Sequence, residues 1–176
     1  DQLVGGAGSD TLKLYGTAGE LPTFSGIETV YLNGTTASTN LSNNADVTAV
    51  QLDTVATAKI FTVGANVTSL SVANQAAADT VEFKVAAAAT AANVTVNKLG
   101  SATAGAVILK LDGAALATVN LTATGTASNV ELGDGAAVVA DTVTKVTVAG
   151  DKSAIVNLNG TTKFALVTAV DASANT

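Results

Sequence analysis

The chain holds 176 residues with a net charge of −6, and it is 48% hydrophobic but only 3% aromatic. Its 8 basic residues, all Lys, face 14 acidic ones. That balance argues against nucleic acid, which takes clustered Lys and Arg to neutralise phosphates, and against docking on anionic lipid. Cys and His are absent, which removes disulfides, thiol chemistry and imidazole ligands together. An acidic chain of this kind suits a hard cation such as Ca²⁺, which takes oxygen ligands. No apolar run approaches the roughly 20 residues that span a bilayer, and no charged-then-apolar leader reads as a signal peptide.

The first element is a glycine turn opening into a strand. Gly5-Gly6-Ala7-Gly8-Ser9-Asp10-Thr11-Leu12-Lys13 fits the nonapeptide G-G-x-G-x-D-x-U-x at every fixed position, and Asp1 and Leu3 fit the tail of a preceding copy. In this pattern the glycines allow a tight turn whose carbonyls face a cation. The Asp adds a carboxylate, and the apolar residue starts a short strand. The plainer reading is a Gly-rich turn before a strand. A chain opening in mid-repeat is expected to continue a longer solenoid.

From Leu12 a ladder begins: Leu12, Val30, Val50 and Leu70 recur at spacings of 18, 20 and 20. A second series, Leu3, Leu21, Leu41, Phe61 and Val81, keeps the same beat half a period away. Two interleaved ladders predict a stack of short coils, each burying its inward side chains against its neighbours. Lys13, Tyr31, Gln51 and Ser71 then alternate outward. The expected fold is all-β, a parallel β-solenoid of about 7–8 coils stacked at roughly 4.8 Å each. Paired immunoglobulin-like sandwiches are the competing fold, but their strands do not repeat apolar positions at one fixed interval.

Residues 15–40 hold a wide loop and the second coil. Pro22 sits where a strand begins or runs at an edge. Ile27 is out of parity with Val30 and Leu32, and Val47 and Val67 repeat the offset. If all point inward, each coil turns a corner of the same shape there. Asn43-Asn44-Ala45-Asp46 is a turn whose side chains bond their own backbone, with a cation site as the alternative. Beyond residue 80 the predicted strands are 80–85, 94–96, 106–111, 119–121, 130–132, 143–148, 155–158 and 164–170, spaced in the low-to-middle twenties. Residues 86–92 read as a helical turn or an Ala-filled corner. Asp79 and Asp141 read as strand-start residues. Asn-x-Ser/Thr at Asn33, Asn40, Asn66, Asn93, Asn120 and Asn159 points to Asn or Thr ladders stacked between coils.

The nonapeptide resembles those of the RTX proteins, which type I secretion exports from Gram-negative bacteria. Phe24-Ser-Gly-Ile-Glu-Thr-Val-Tyr-Leu32 is similar to the G-I/V-E-T-V/L-x-L segments of RTX-type bacterial S-layer proteins. The resemblance is specific over residues 1–32 and compositional beyond. It implies a secreted, calcium-dependent β-solenoid at the bacterial cell surface. Residues 1–14 would be RTX-like turns opening a β-roll, and 15–176 its continuation as a wider β-helix in the same domain. After Leu14 the glycine pattern lapses, so a calcium row is not expected beyond the first coils.

In an 18-residue coil Glu28 stacks on Asp10 and Gly26 on Gly8. Two carboxylates a strand spacing apart repel unless a cation lies between them. The expected metal ligands are therefore Gly5, Gly6, Gly8, Asp10 and Glu28, with Asp1 from the preceding turn. No catalytic constellation stands out: His is absent, and Asp10 with Glu28 is the one carboxylate pair the register brings together. The expectation is a structural domain of a surface layer, self-assembling in two dimensions and continuous with upstream coils of its parent chain. A stalk or adhesin domain of a large type I-secreted protein is the alternative.

Overall fold

The structure, a computed structural model, describes residues 2–16, 21–135, 142–158 and 164–176. Eight strands lie side by side in one sheet, in chain order. They are β2 (Thr11–Tyr15), β4 (Thr29–Asn33), β6 (Ala49–Asp53), β8 (Ser69–Ala73), β10 (Ala91–Asn97), β12 (Thr118–Ala123), β14 (Lys145–Gly150) and β16 (Ala169–Asn175). Six more form a second sheet: β5 (Thr39–Asn40), β7 (Lys59–Thr62), β9 (Thr80–Lys84), β11 (Val107–Asp112), β13 (Ser128–Gly133) and β15 (Ala154–Asn157). β1 (Gln2–Val4) pairs with β3 (Thr23–Ser25). The strands pair in parallel, and the chain alternates between the sheets, giving an all-β solenoid of about seven turns with no helix among the described residues.

The first ladder is in the expected register. Leu12, Val30, Val50 and Leu70 stack directly, and Val94, Leu121 and Val148 continue the column. Val30 and Val50 are 0% exposed, while Lys13 and Gln51 lie on the exposed outer face. Val and Thr populate these strands because β-branched side chains pack well on a pleated surface. Past Leu70 the interval widens to 24, 27 and 27 residues, longer than the sequence suggests. The extra length goes into corners, since the strands keep their alignment.

The second ladder is corrected. Leu3 pairs with Phe24 rather than Leu21, and Leu3 is 42% exposed. Phe61 stacks between Thr39 and Phe83, while Val81 stacks on Lys59 and under Leu109. Leu41, Phe61 and Val81 are all buried, but they belong to neighbouring columns. A shift of two residues keeps every side chain on the same face, so burial alone does not fix which inward residue meets which.

The corner before β6, β8, β12, β14 and β16 has one form. The N–H groups of Thr48 and Ala49 both donate to the Glu28 carbonyl, and those of Thr68 and Ser69 to the Thr48 carbonyl. The pairs 117/118, 144/145 and 168/169 repeat this on Thr90, Ala117 and Thr144. Two donors on one acceptor is the signature of an extra residue on one strand. Ile27 and Val47 are buried there, as the parity shift implies, and Val67 is half-buried. After these strands the backbone turns through a left-handed residue: Gly16, Gly34, Thr54, Asn74 and Lys98.

Further details adjust the sequence reading. Residues 86–89 form a turn closed by an Ala89 N–H to Ala86 carbonyl bond, so the Ala run is a corner. The last strand is Ala169–Asn175, not 164–170; Phe164 is buried in the turn before it. Pro22 directly precedes β3. Asp79 precedes β9, and its Oδ2 accepts the Ala76 N–H. Asn ladders are present: Asn120 Nδ2 donates to Asn93 Oδ1 at 2.8 Å, and Thr147 Oγ1 to Asn120 Oδ1 at 2.6 Å. Asp1, Asp141 and Asn159 lie outside the described residues.

Candidate functional site

The first corner brings Asp10 and Glu28 together. Thr11 pairs with Thr29, which sets Glu28 beside Asp10. Glu28 Oε2 accepts the Asp10 backbone N–H at 2.8 Å. The carboxylate thus meets the neighbouring amide, which relieves part of the repulsion expected between two stacked acids. Asp10 Oδ2 is buried and has no hydrogen-bond partner. Burying a polar atom unpaired is costly, so such atoms are usually paired or ligating.

The glycines divide. Gly5 donates its N–H to the Ser25 carbonyl at 2.9 Å and packs so tightly on the Gly26 carbonyl that a Cβ there would collide with it. A Cβ on Gly26 would meet Gly6 N at 3.2 Å. The partner of Gly26 is therefore the Gly5-Gly6 turn, and the expected stack of Gly26 on Gly8 is corrected. The reason is length. Val4 aligns with Ser25 and Thr11 with Thr29, so the first corner carries three residues more than the second. The surplus is pushed outward, and Gly6, Ala7, Gly8 and Ser9 are all exposed.

Asp46, from the Asn43–Asp46 turn, accepts the Gly26 N–H on Oδ2 at 2.8 Å. Its bond runs to the preceding coil, not to its own turn. Among the described residues no three acidic side chains gather as one metal-holding group. A cation at this corner would therefore draw on the Asp10 and Glu28 carboxylates and otherwise on backbone carbonyls. The free Asp10 Oδ2 and the hard-oxygen donor set fit Ca²⁺.

A second cluster sits on the outer face at the far ends of the same strands. Tyr31 Oη donates to Asp53 Oδ2 at 2.8 Å and accepts from Asn33 Nδ2 at 3.2 Å. Asp53 Oδ1 also takes Thr54 Oγ1 at 2.8 Å and Asn74 Nδ2 at 2.9 Å. Burial pushes the Asp53 carboxyl up, but the bonds from Asn74, Tyr31 and Thr54 outweigh it and hold it below the usual range. The bond to Asp53 raises the Tyr31 phenol above its ordinary value. Thr54 has φ 52°, a conformation rare for a β-branched residue, and its hydroxyl is held by the carboxylate beside it. This clamp ties coils two, three and four together. Its signal was present in the sequence, since the 20-residue register places Asn33 on Asp53.

Comparison of the chain with protein-family models, with curated proteins and with solved structures gives no match.

Proposed function

We propose that the chain is a structural segment of a secreted bacterial surface layer of the RTX type, and that calcium orders its first corner. The observation that carries this reading is the eight-stranded parallel sheet, in which, among the described residues, β2 pairs only with β4 and β16 only with β14. Each terminal strand leaves one edge of backbone donors and acceptors unpaired, and such edges favour pairing with another chain. Coils of the parent chain, or a second copy, are the proposed partners at these edges. The role is proposed as non-catalytic.

At the first corner Asp10 and Glu28 would supply carboxylates, and the Gly5, Gly6 and Gly8 turn carbonyl oxygens. When bound, Ca²⁺ supplies positive charge that offsets the repulsion between two stacked carboxylates. The experiment is negative-stain electron microscopy of the purified chain with millimolar Ca²⁺ and with chelator. Ordered sheets or stacks in calcium alone are expected. A monodisperse monomer at high concentration in calcium, by light scattering, overturns the assembly reading.

A further inference from the structure

We propose that Tyr15 and Tyr31 form an oxidative cross-linking site, in which a one-electron oxidant of the haem-peroxidase class, supplied with hydrogen peroxide, couples the two phenols into a dityrosine that staples β2 to β4. The chain has two tyrosines in all and no cysteine, so a disulfide is not open to it. Both phenols stand on the outer face of adjacent coils, with ring centroids 5.9 Å apart and planes inclined at 60°. Lys13, not Tyr15, is the direct neighbour of Tyr31 across the strands, so the tyrosines are diagonal neighbours. Aromatic side chains reach one another at that spacing. Tyr15 is 68% exposed and open to an oxidant. Its ring already meets that of Tyr31, whose hydroxyl is anchored by Asp53 and Asn33.

The hydrogen bond from Tyr31 Oη to Asp53 Oδ2 gives the oxidation a proton acceptor. As Tyr31 loses an electron, its phenolic proton passes along that bond to the carboxylate; Tyr15 gives its proton to water. The two phenoxyl radicals join through ring carbons ortho to oxygen. Each ring regains its aromatic phenol when the ortho hydrogen leaves as a proton and the oxygen is reprotonated. The net change is two electrons and two protons lost from the protein, taken up by one hydrogen peroxide to give two waters. A bond between residues 15 and 31 restricts the unfolded chain as any cross-link does, and it fastens the coil that carries Asp10 to the coil that carries Glu28.

The test treats the full chain with a haem peroxidase and hydrogen peroxide. Dityrosine fluorescence is expected in the monomer band, with an intact mass lower by two hydrogens and a digest joining the Tyr15 and Tyr31 peptides. Tyr15→Phe, at an exposed position, is expected to abolish the monomer signal. Asp53→Asn is expected to slow its formation severalfold, and unfolding the wild type in urea to shift the product toward covalent dimers. Dityrosine confined to dimers in the folded protein overturns the proposal. Equal initial rates for Asp53→Asn and wild type overturn the part assigned to Asp53.

Discussion

Val50→Asp is expected to unfold the chain under conditions where Gln51→Asp leaves it intact. Val50 is 0% exposed and lies in the column between Val30 and Leu70, so an aspartate there faces apolar neighbours on every side. Its charge finds no partner, and neutralising it by protonation still buries an unpaired acid. A cost of about 4 kcal/mol or more falls in the range reserved for such lesions, against a total stability of about 5–15 kcal/mol. Gln51 is one residue away on the exposed outer face. A surface change there stays within about 0.5 kcal/mol. Urea denaturation of both variants reads the contrast, and equal midpoints would contradict the inward–outward register.

Phe83→Ala is expected to cost about 3–5 kcal/mol, as large-to-small changes at buried aromatic sites do. Phe83 and Phe61 are each 0% exposed, and their rings lie 6.2 Å apart, tilted by 51°. Truncation opens a void that parallel strands on both sides resist closing. The register adds a sharper expectation. Phe61 pairs directly with Phe83, whereas the sequence ladder put it with Val81. A double-mutant cycle should show stronger coupling of Phe61 to Phe83 than to Val81, with about 0.5–1.5 kcal/mol for the aromatic pair. Stronger coupling to Val81 would restore the sequence-based ladder and contradict the observed one.

That contrast shows how far the residues alone carried the fold. The large sheet was legible as far as Leu70 because its intervals of 18, 20 and 20 are nearly constant and its strands alternate cleanly; the wider intervals of 24, 27 and 27 beyond it were not. The smaller sheet was not, because Phe61 and Val63, Val81 and Phe83, and Leu109 and Leu111 each offer two buried residues two positions apart. A strand with period two looks the same after a slip of two, and only the corner lengths decide. Corner length also misplaced Gly8. Stacking Gly26 on Gly8 requires equal coils, and the first corner holds three residues more than the second. The Asp10–Glu28 pair survived because it abuts strands whose register was read correctly. The stacking of Asn33 on Asp53 is legible in the same register, but the left-handed turn at Thr54 that completes the clamp carries no sequence mark, unlike the glycines at 16 and 34.

The most direct measurement of the calcium claim is thermal melting of wild type, Asp10→Asn and Glu28→Gln in Ca²⁺, in Mg²⁺ and in chelator. With a dissociation constant of about 10⁻⁴–10⁻³ M, as in extracellular modules, about 10 mM Ca²⁺ stabilises by about 1.4–2.7 kcal/mol. At about 2–4 °C per kcal/mol for a chain of this size, wild type should melt about 3–11 °C higher in Ca²⁺ than in chelator. Both variants should lose most of that shift, because each removes one of the two carboxylates at the corner, and Mg²⁺ should reproduce little of it. A wild type that melts at one temperature in calcium and in chelator would contradict a structural role for calcium at Asp10 and Glu28.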